Sequence, residues 1–145
     1  MPKTQNPSQP RVLIADDNRE MRNTVVRLLE NEFEVVGAVG DGRALVEAAG
    51  RLRPNIGVVD ISMPLMSGIE AAIEIKKSGS DMKIVFLTVN EDNDFVNAAL
   101  ECGASGYVIK RNMVTDLVHA LRETGAGRTF ISRICRTSDR SSTGN

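Results

Sequence analysis

The sequence predicts a doubly wound α/β fold in which five strand–helix units, (βα)5, form one parallel sheet. Short runs of mainly valine and isoleucine occur at residues 12–15, 35–39, 56–59, 84–87 and 107–109. These runs are continuous rather than alternating, which is typical of strands buried on both faces of a parallel sheet. Segments with helical spacing separate the runs, so helices are expected to cover both faces and complete a three-layer sandwich.

Each predicted strand is followed by an amphipathic helix pattern. Apolar residues recur every three or four positions in segments that begin at Met21, Leu45, Ile69, Val96 and Val114. Ser67 and Glu70 have the spacing of a capping box before the third helix, and Asn112 can cap the fifth. Gly125 and Gly127 are suited to ending that last helix.

The length of 145 residues fits one domain, expected over residues 11–127. Residues 1–10 hold three of the five prolines and almost nothing apolar, which indicates a flexible lead-in. Residues 128–145 are polar and basic, and they are expected to form a tail or the start of a linker. A basic nucleic-acid-binding arm is the less favoured interpretation of this end.

Composition excludes several function classes. A formal net charge of -1 argues against a protein that coats nucleic acid, and 3% aromatic residues argue against a base-stacking surface. The chain lacks the run of about 18 apolar residues that a membrane span needs. Neither Cys102 nor Cys135 has the spacing of a metal site or a disulfide framework. A cytoplasmic protein without membrane contact is expected.

The informative polar residues follow the ends of the predicted strands. Asp16 and Asp17 follow strand one, Asp60 follows strand three, Thr88 ends strand four and Lys110 follows strand five. Right-handed crossovers place all these positions at one edge of the sheet. With the strand order 2-1-3-4-5, strands one and three are neighbours about 4.8 Å apart. The three acids would then converge where open α/β sheets bind ligands.

Each of these residues also has an ordinary interpretation as a turn acid, a helix cap, a strand-end hydroxyl or a surface charge. The combination favours a site, because two carboxylates 4 Å apart repel by about 4 kcal/mol at an effective dielectric of 20. Such a cluster needs a cation, and an all-oxygen ligand set suits Mg²⁺. A lysine and a hydroxyl opposite the metal complete a set of groups suited to phosphoryl transfer.

Four segments resemble motifs of two-component response-regulator receiver domains, which have a flavodoxin-like fold. They are VLIADDN, VVDISMPLMSG, FLTVN and GASGYVIK, and they occur in the family's order within residues 11–124. The segment after strand five and the GRTFIS ending resemble the LuxR-type (NarL/FixJ-like) subgroup, whose members carry a helix-turn-helix output domain.

The resemblance implies roles for the acids. Asp60 corresponds to the phosphoacceptor, and Asp16 and Asp17 correspond to the metal-binding acids. The main-chain carbonyl of Ser62 would complete the protein ligands of an Mg²⁺ ion together with Asp60. The chain would thus be a phosphoacceptor that assists its own Mg²⁺-dependent phosphorylation and dephosphorylation, rather than an enzyme acting on a separate substrate.

The resemblance also implies a switch and partners. Thr88 and Lys110 correspond to the pair that contacts the phosphoryl group, and Tyr107 corresponds to the switch aromatic that moves with Thr88. A sensor histidine kinase is the implied donor, and a homodimer is a further implied partner. The implied output is transcription, with DNA contacted only through an output domain outside these residues. The alternative is a stand-alone receiver that acts through protein–protein contacts.

Two positions depart from the family pattern. Arg111 follows Lys110 where the family often has a proline with a cis bond, so the conformation of this peptide is left open. Val89 follows Thr88 where the family usually has a small residue. Val89 is expected to modulate the lifetime of the phosphoryl group, and Ser62 and Asn90 are polar neighbours that could orient water.

Other proteins with a similar fold fit the sequence less well. A haloacid-dehalogenase-type phosphatase needs a second aspartate where this chain has Ser62. A flavodoxin-like electron carrier would have a phosphate-binding loop rich in Ser, Thr and Gly after strand one, and a dinucleotide-binding fold would have GxGxxG there. A docking module independent of phosphorylation predicts a missing acid or lysine, and none is missing.

Overall fold

The computed structural model describes residues 9–132. Within this range, no helix has the length and hydrophobicity that a membrane span needs. Most of the expected lead-in, most of the expected tail and Cys135 lie outside the described residues. The strands are β1 (Arg11–Ala15), β2 (Glu34–Val39), β3 (Ile56–Val59), β4 (Lys83–Thr88), β5 (Gly106–Ile109) and β6 (Phe130–Ile131). The helices are α1 (Arg19–Leu29), α2 (Gly42–Leu52), α3 (Gly68–Lys77), α4 (Asn93–Glu101) and α5 (Met113–Gly125).

All neighbouring strands are parallel, and their order is β2-β1-β3-β4-β5-β6. This confirms the predicted doubly wound fold and the order of its first five strands. β6 was not predicted, because two residues are too few to show a period and the surrounding segment is polar. We propose that the folded domain continues through Ser132, beyond the expected limit at residue 127, because β6 pairs with β5.

The sheet separates two apolar cores, as expected for strands buried on both faces. Along β1, Val12 and Ile14 pack towards α1 and α5, whereas Leu13 and Ala15 pack towards α2 and α3. The face with α2, α3 and α4 also contains Tyr107, and the opposite face contains Leu117 of α5. The alternation of side chains along each strand therefore produces the three layers.

Polar side chains fix where the helices begin. Helices α1 to α4 are capped by Asn18, Asp41, Ser67 and Asp92, respectively. The capping box predicted for Ser67 and Glu70 is present in both directions. Asn112 occupies the N-cap position of α5 as predicted, but it also ends a 3-10 turn at Lys110–Asn112, and its side chain makes no cap hydrogen bond. α5 ends at Gly125, and Gly127 follows with a φ of 85°.

Two leucines in different surroundings test this description of the core. Leu117 is fully buried under the sheet, whereas Leu65 is 72% exposed in the loop before α3. We expect Leu117→Ala to lower the free energy of unfolding by about 2–5 kcal/mol, because it leaves a cavity. Leu65→Ala should change it by less than about 0.5 kcal/mol. Denaturant titration of both variants measures this, and equal losses would contradict the assigned core.

Candidate functional site

Three carboxylates meet at the carboxyl edge of the sheet, where the sequence predicted them. Asp16 follows β1 and Asp60 follows β3, and these two strands are neighbours. Asp16 is 2% exposed and Asp60 is 7% exposed, whereas Asp17 faces solvent. One carboxylate oxygen from each of the three lies within 4.8 Å of the others. The convergence inferred from strand order is therefore present in the folded chain.

Lys110 provides the positive charge of this cluster. Its Nζ lies 2.7 Å from Oδ2 of Asp16 and 3.2 Å from Oδ2 of Asp60, to which it donates a hydrogen bond. Lys110 follows β5, two strands away from β3, so its long side chain crosses the end of β4 to reach the acids. One ammonium group thus bridges two carboxylates that would otherwise repel each other.

The pKa values of these groups reflect burial and mutual charge. Burial raises the pKa of Asp60 above its usual value, the charge of Lys110 opposes this rise, and the charge of Asp16 adds to it. Burial by itself would lower the pKa of Lys110, but the contacts with Asp16 and Asp60 outweigh burial and raise it. Lys110 is therefore held in its charged form. Any further positive charge beside Asp60 would stabilise the ionised form of its carboxylate.

The carboxylate cluster fits a hard divalent cation. Oδ1 of Asp16 accepts a hydrogen bond from the amide of Asn18 at 2.9 Å. Its buried Oδ2 accepts no well-directed hydrogen bond from the described residues, although Lys110 is close by. A buried carboxylate oxygen with unused capacity, next to two further carboxylates, is a ligand set that Mg²⁺ prefers. Asp16, Asp17 and Asp60 could hold such an ion.

The first residue of α3, Gly68, lies directly against the main chain of Asp60. The amide of Gly68 donates to the carbonyl of Ile61 at 2.7 Å. A Cβ atom at Gly68 would lie 2.2 Å from the carbonyl oxygen of Asp60 and 2.9 Å from Cγ1 of Val59. Only glycine permits this approach, so the sequence MPLMSG positions the loop that carries Asp60 and Ser62.

Asn90 connects Thr88 to Tyr107. The hydroxyl of Thr88 accepts hydrogen bonds from the main-chain amide of Asn90 at 3.2 Å and from its Nδ2 at 3.3 Å. Tyr107 is buried, and its hydroxyl donates to the carbonyl of Asn90 at 2.9 Å. Asn90 was predicted only as a polar neighbour of the site, and its contact with Tyr107 was not predicted. Nothing in the sequence pattern signals it, because the contact to Tyr107 spans 17 residues.

The two departures from the family pattern lie at the rim of the site. Val89 is 71% exposed beside the buried Thr88. The peptide bonds of residues 9–132 are all trans, including the bond between Lys110 and Arg111. Arg111 forms an ion pair with Glu91 at 2.8 Å, which joins the turn after β5 to the loop after β4.

Comparisons with known proteins agree with this geometry. Residues 12–122 match the family model described as the response regulator receiver domain. The chain is 34% identical over 124 residues to the response regulator GacA of Pseudomonas viridiflava, covering 84% of this chain and 58% of GacA. It is 33% identical over 128 residues to the transcriptional regulatory protein DegU of Brevibacillus brevis, covering 87% of this chain and 54% of DegU.

A solved structure extends the comparison. The crystal structure of a LuxR-family two-component response regulator from Aurantimonas sp. SI85-9A1 superposes with a TM-score of 0.89 at 28% identity. The superposition covers 95% of this chain and all of that one. By contrast, the chain spans only slightly more than half the length of GacA and DegU.

A pair of glycine variants tests the contact between Gly68 and Asp60. We expect Gly68→Ala to weaken Mg²⁺ binding by at least about tenfold, or about 1.4 kcal/mol, because the new Cβ displaces the main chain of Asp60. Gly50→Ala is the control, because a Cβ at Gly50, in helix α2, meets nothing within 4 Å. That variant should bind Mg²⁺ normally and gain up to about 1 kcal/mol in stability.

The two measurements are a titration with MgCl₂ followed by NMR and a thermal melt of each variant. Unchanged Mg²⁺ affinity in a folded Gly68→Ala protein would show that the loop does not depend on this close approach.

Proposed function

The chain belongs to the response regulator receiver family, and we propose that it accepts a phosphoryl group on Asp60 in an Mg²⁺-dependent step. The proposed donor is a phosphohistidine of a sensor histidine kinase. The observation that carries the residue assignment is the position of Lys110, whose ammonium contacts both Asp16 and Asp60. Among residues 9–132, no other lysine directly follows a strand at this edge.

The proposed transfer needs an ionised Asp60. One of its carboxylate oxygens attacks the phosphorus atom, the phosphorus–nitrogen bond of the donor breaks, and the leaving imidazole keeps the bond's electron pair. Lys110 stabilises the ionised form of Asp60, against the effect of burial on its pKa. Bound Mg²⁺ would supply charge neutralisation for the carboxylates and the phosphoryl oxygens. Asp16, Asp17, Asp60 and the main-chain carbonyl of Ser62 are its proposed ligands.

Lys110 and Thr88 are the proposed contacts of the transferred phosphoryl group. The ammonium of Lys110 lies 3.2 Å from a carboxylate oxygen of Asp60, so it can form an ion pair with a phosphoryl oxygen bound there. Because the Thr88 oxygen accepts two hydrogen bonds from Asn90, its own proton can be donated to the phosphoryl group. Positioned donors of this kind are the main protein contribution to phosphoryl transfer.

The proposed switch runs from Thr88 through Asn90 to Tyr107. A phosphoryl group adds a charge of about -2. Movement of Thr88 towards it would shift Asn90, which contacts Tyr107 through its carbonyl group. Tyr107 packs in the core face that also contains α4, so a change there can reach the surface formed by α4 and β5.

The proposed output is transcription, carried out through a DNA-binding output domain outside these residues. The relative DegU is a transcriptional regulatory protein, and the superposed Aurantimonas protein is a LuxR-family regulator. A second copy of the chain is a further proposed partner, because most regulators of this kind form symmetric dimers. The cytoplasm is the proposed compartment.

Asp60→Asn tests the phosphoacceptor. We expect the wild-type chain to gain the mass of one phosphoryl group when incubated with acetyl phosphate and Mg²⁺, and to gain nothing when EDTA is present from the start. The Asn variant should gain nothing, because its amide is a poor nucleophile of nearly the same size. Intact-mass spectrometry measures both. An equal mass gain in the Asn variant would place the phosphoryl group elsewhere.

Val89→Ala tests what controls the lifetime of the phosphoryl group. Water must attack in line with the bond to Asp60, and the stiff valine side chain stands exposed beside Thr88 at the rim. We expect the alanine variant to lose phosphate about three to ten times faster, which corresponds to about 0.7–1.4 kcal/mol of barrier. Mg²⁺ affinity should stay unchanged.

Val114→Ala is the matched control, because Val114 is equally exposed but lies in the first turn of α5. Its dephosphorylation rate, followed by the same mass measurement over time, should equal that of the wild type. If Val89→Ala loses phosphate no faster than Val114→Ala, Val89 does not gate the site.

A further inference from the structure

A serine at the end of β6 joins three elements next to the site. Ser132 has no solvent-exposed surface. Its hydroxyl accepts a hydrogen bond from the main-chain amide of Ile109 in β5 at 3.0 Å, and it donates one to Oδ2 of Asp116 in α5 at 2.9 Å. Its main-chain amide donates to the carbonyl of Tyr107 at 2.9 Å. A single side chain thus connects β5, β6 and α5.

The hydroxyl takes the place of a main-chain acceptor. The amides of Phe130 and Ser132 donate to the carbonyls of Ser105 and Tyr107, in a regular parallel pattern. Continuing this pattern would give the amide of Ile109 the carbonyl of residue 132 as its acceptor. The side-chain oxygen accepts this hydrogen bond instead. A hydroxyl is suited to the position, since it accepts one hydrogen bond and donates another at the same time.

These contacts enclose the turn that presents Lys110. Ile109 immediately precedes Lys110, and Asp116 lies in the first turn of the helix that follows it. Residues on both sides of the 3-10 turn at Lys110–Asn112 are therefore hydrogen-bonded to one buried hydroxyl. The hydroxyl of Thr115 lies between the carbonyl of Asn112 at 3.0 Å and the second oxygen of Asp116 at 3.3 Å, so it can donate to either one.

We propose that Ser132 and Asp116 are positioning residues for Lys110, and that they hold its ammonium between Asp16 and Asp60. The expected effect of these residues on the rate of phosphorylation rests on the proposed function, in which Lys110 takes part in phosphoryl transfer. A phosphoryl group on Asp60 would draw Lys110 away from its present contacts. By linkage, this movement also changes the stability of the pairing between β6 and β5. The segment that follows α5 would then respond directly to the state of Asp60.

The test compares Ser132→Ala with Ser132→Thr and Phe130→Ala in the full 145-residue chain. Threonine keeps the hydroxyl. Phe130→Ala removes the ring that packs at a tilt against His119, at 5.2 Å between ring centroids, but removes no atom of the hydroxyl contacts. We expect Ser132→Ala to lower the rate of phosphorylation by acetyl phosphate about tenfold, with Mg²⁺ affinity unchanged. Threonine should restore most of this rate, and Phe130→Ala should leave it near the wild-type value.

A double-mutant cycle tests whether the pair acts as a unit. Asp116→Ala should slow phosphorylation as much as Ser132→Ala does, and the double variant should show no further loss. Asp116→Asn keeps an oxygen that can accept from the hydroxyl, so its rate should be closer to the wild type. Additive losses in the double variant, or a rate for Ser132→Ala equal to that of Phe130→Ala, would overturn the proposal.

A readout without phosphorylation separates this proposal from the proposed function. The ¹⁵N NMR signal of the Lys110 ammonium and the hydrogen exchange of the Ile109 amide both report on the turn in the resting protein. We expect the ammonium signal to shift or broaden and the amide to exchange faster in Ser132→Ala. If both stay as in the wild type, the positioning role is wrong, whether or not Asp60 is phosphorylated. If the wild type is never phosphorylated but both signals change, only the proposed function fails.

Discussion

The ammonium of Lys110, placed between the carboxylates of Asp16 and Asp60, is the contact on which the rest of the site depends. Both acids are almost completely buried, and burial already disfavours the charged form of Asp60. Without a cation, three carboxylates this close would repel one another strongly. One lysine offsets part of this repulsion, and the oxygen of Asp16 that lacks a well-directed hydrogen bond leaves capacity for a metal ion.

The fold supplies the rigidity that this arrangement requires. The acids and the lysine follow three different strands of one parallel sheet, so packing of both sheet faces sets their separations. Gly68 lets the loop after β3 approach the main chain of Asp60. The turn after β5 is held by the hydrogen bonds of Ser132, whereas the loop after β3 depends on the absence of a side chain at Gly68. The reactive side chains lie on loops, and the contacts of these loops with the strands and helices set the positions of those side chains.

Two hydrogen-bonded routes lead away from the site. One runs from Thr88 through Asn90 to Tyr107 and enters the core beside α4. The other runs from Lys110 through its neighbour Ile109 to Ser132 and reaches the strand that follows α5. Both routes begin at groups proposed to contact the phosphoryl group. The two routes end on neighbouring strands, because the amide of Ser132 donates to the carbonyl of Tyr107. The proposed modification of Asp60 would therefore act on the β5–β6 edge of the sheet.

The sequence by itself determined the main elements and the residues of the acidic site, because periodicity and strand-end positions are local properties of the chain. The order of the first five strands was predicted only as that of a doubly wound fold, and the pairing of the strands confirms it. Tertiary structure decided the rest. Asn112 stands at the N-cap position of α5, but it ends a 3-10 turn and its side chain makes no cap hydrogen bond. β6 forms because β5 offers an edge, not because two residues favour a strand. The contacts of Tyr107 with Asn90 and of Ser132 with Ile109 span 17 and 23 residues. Such contacts depend on distances between packed elements, which no local pattern encodes.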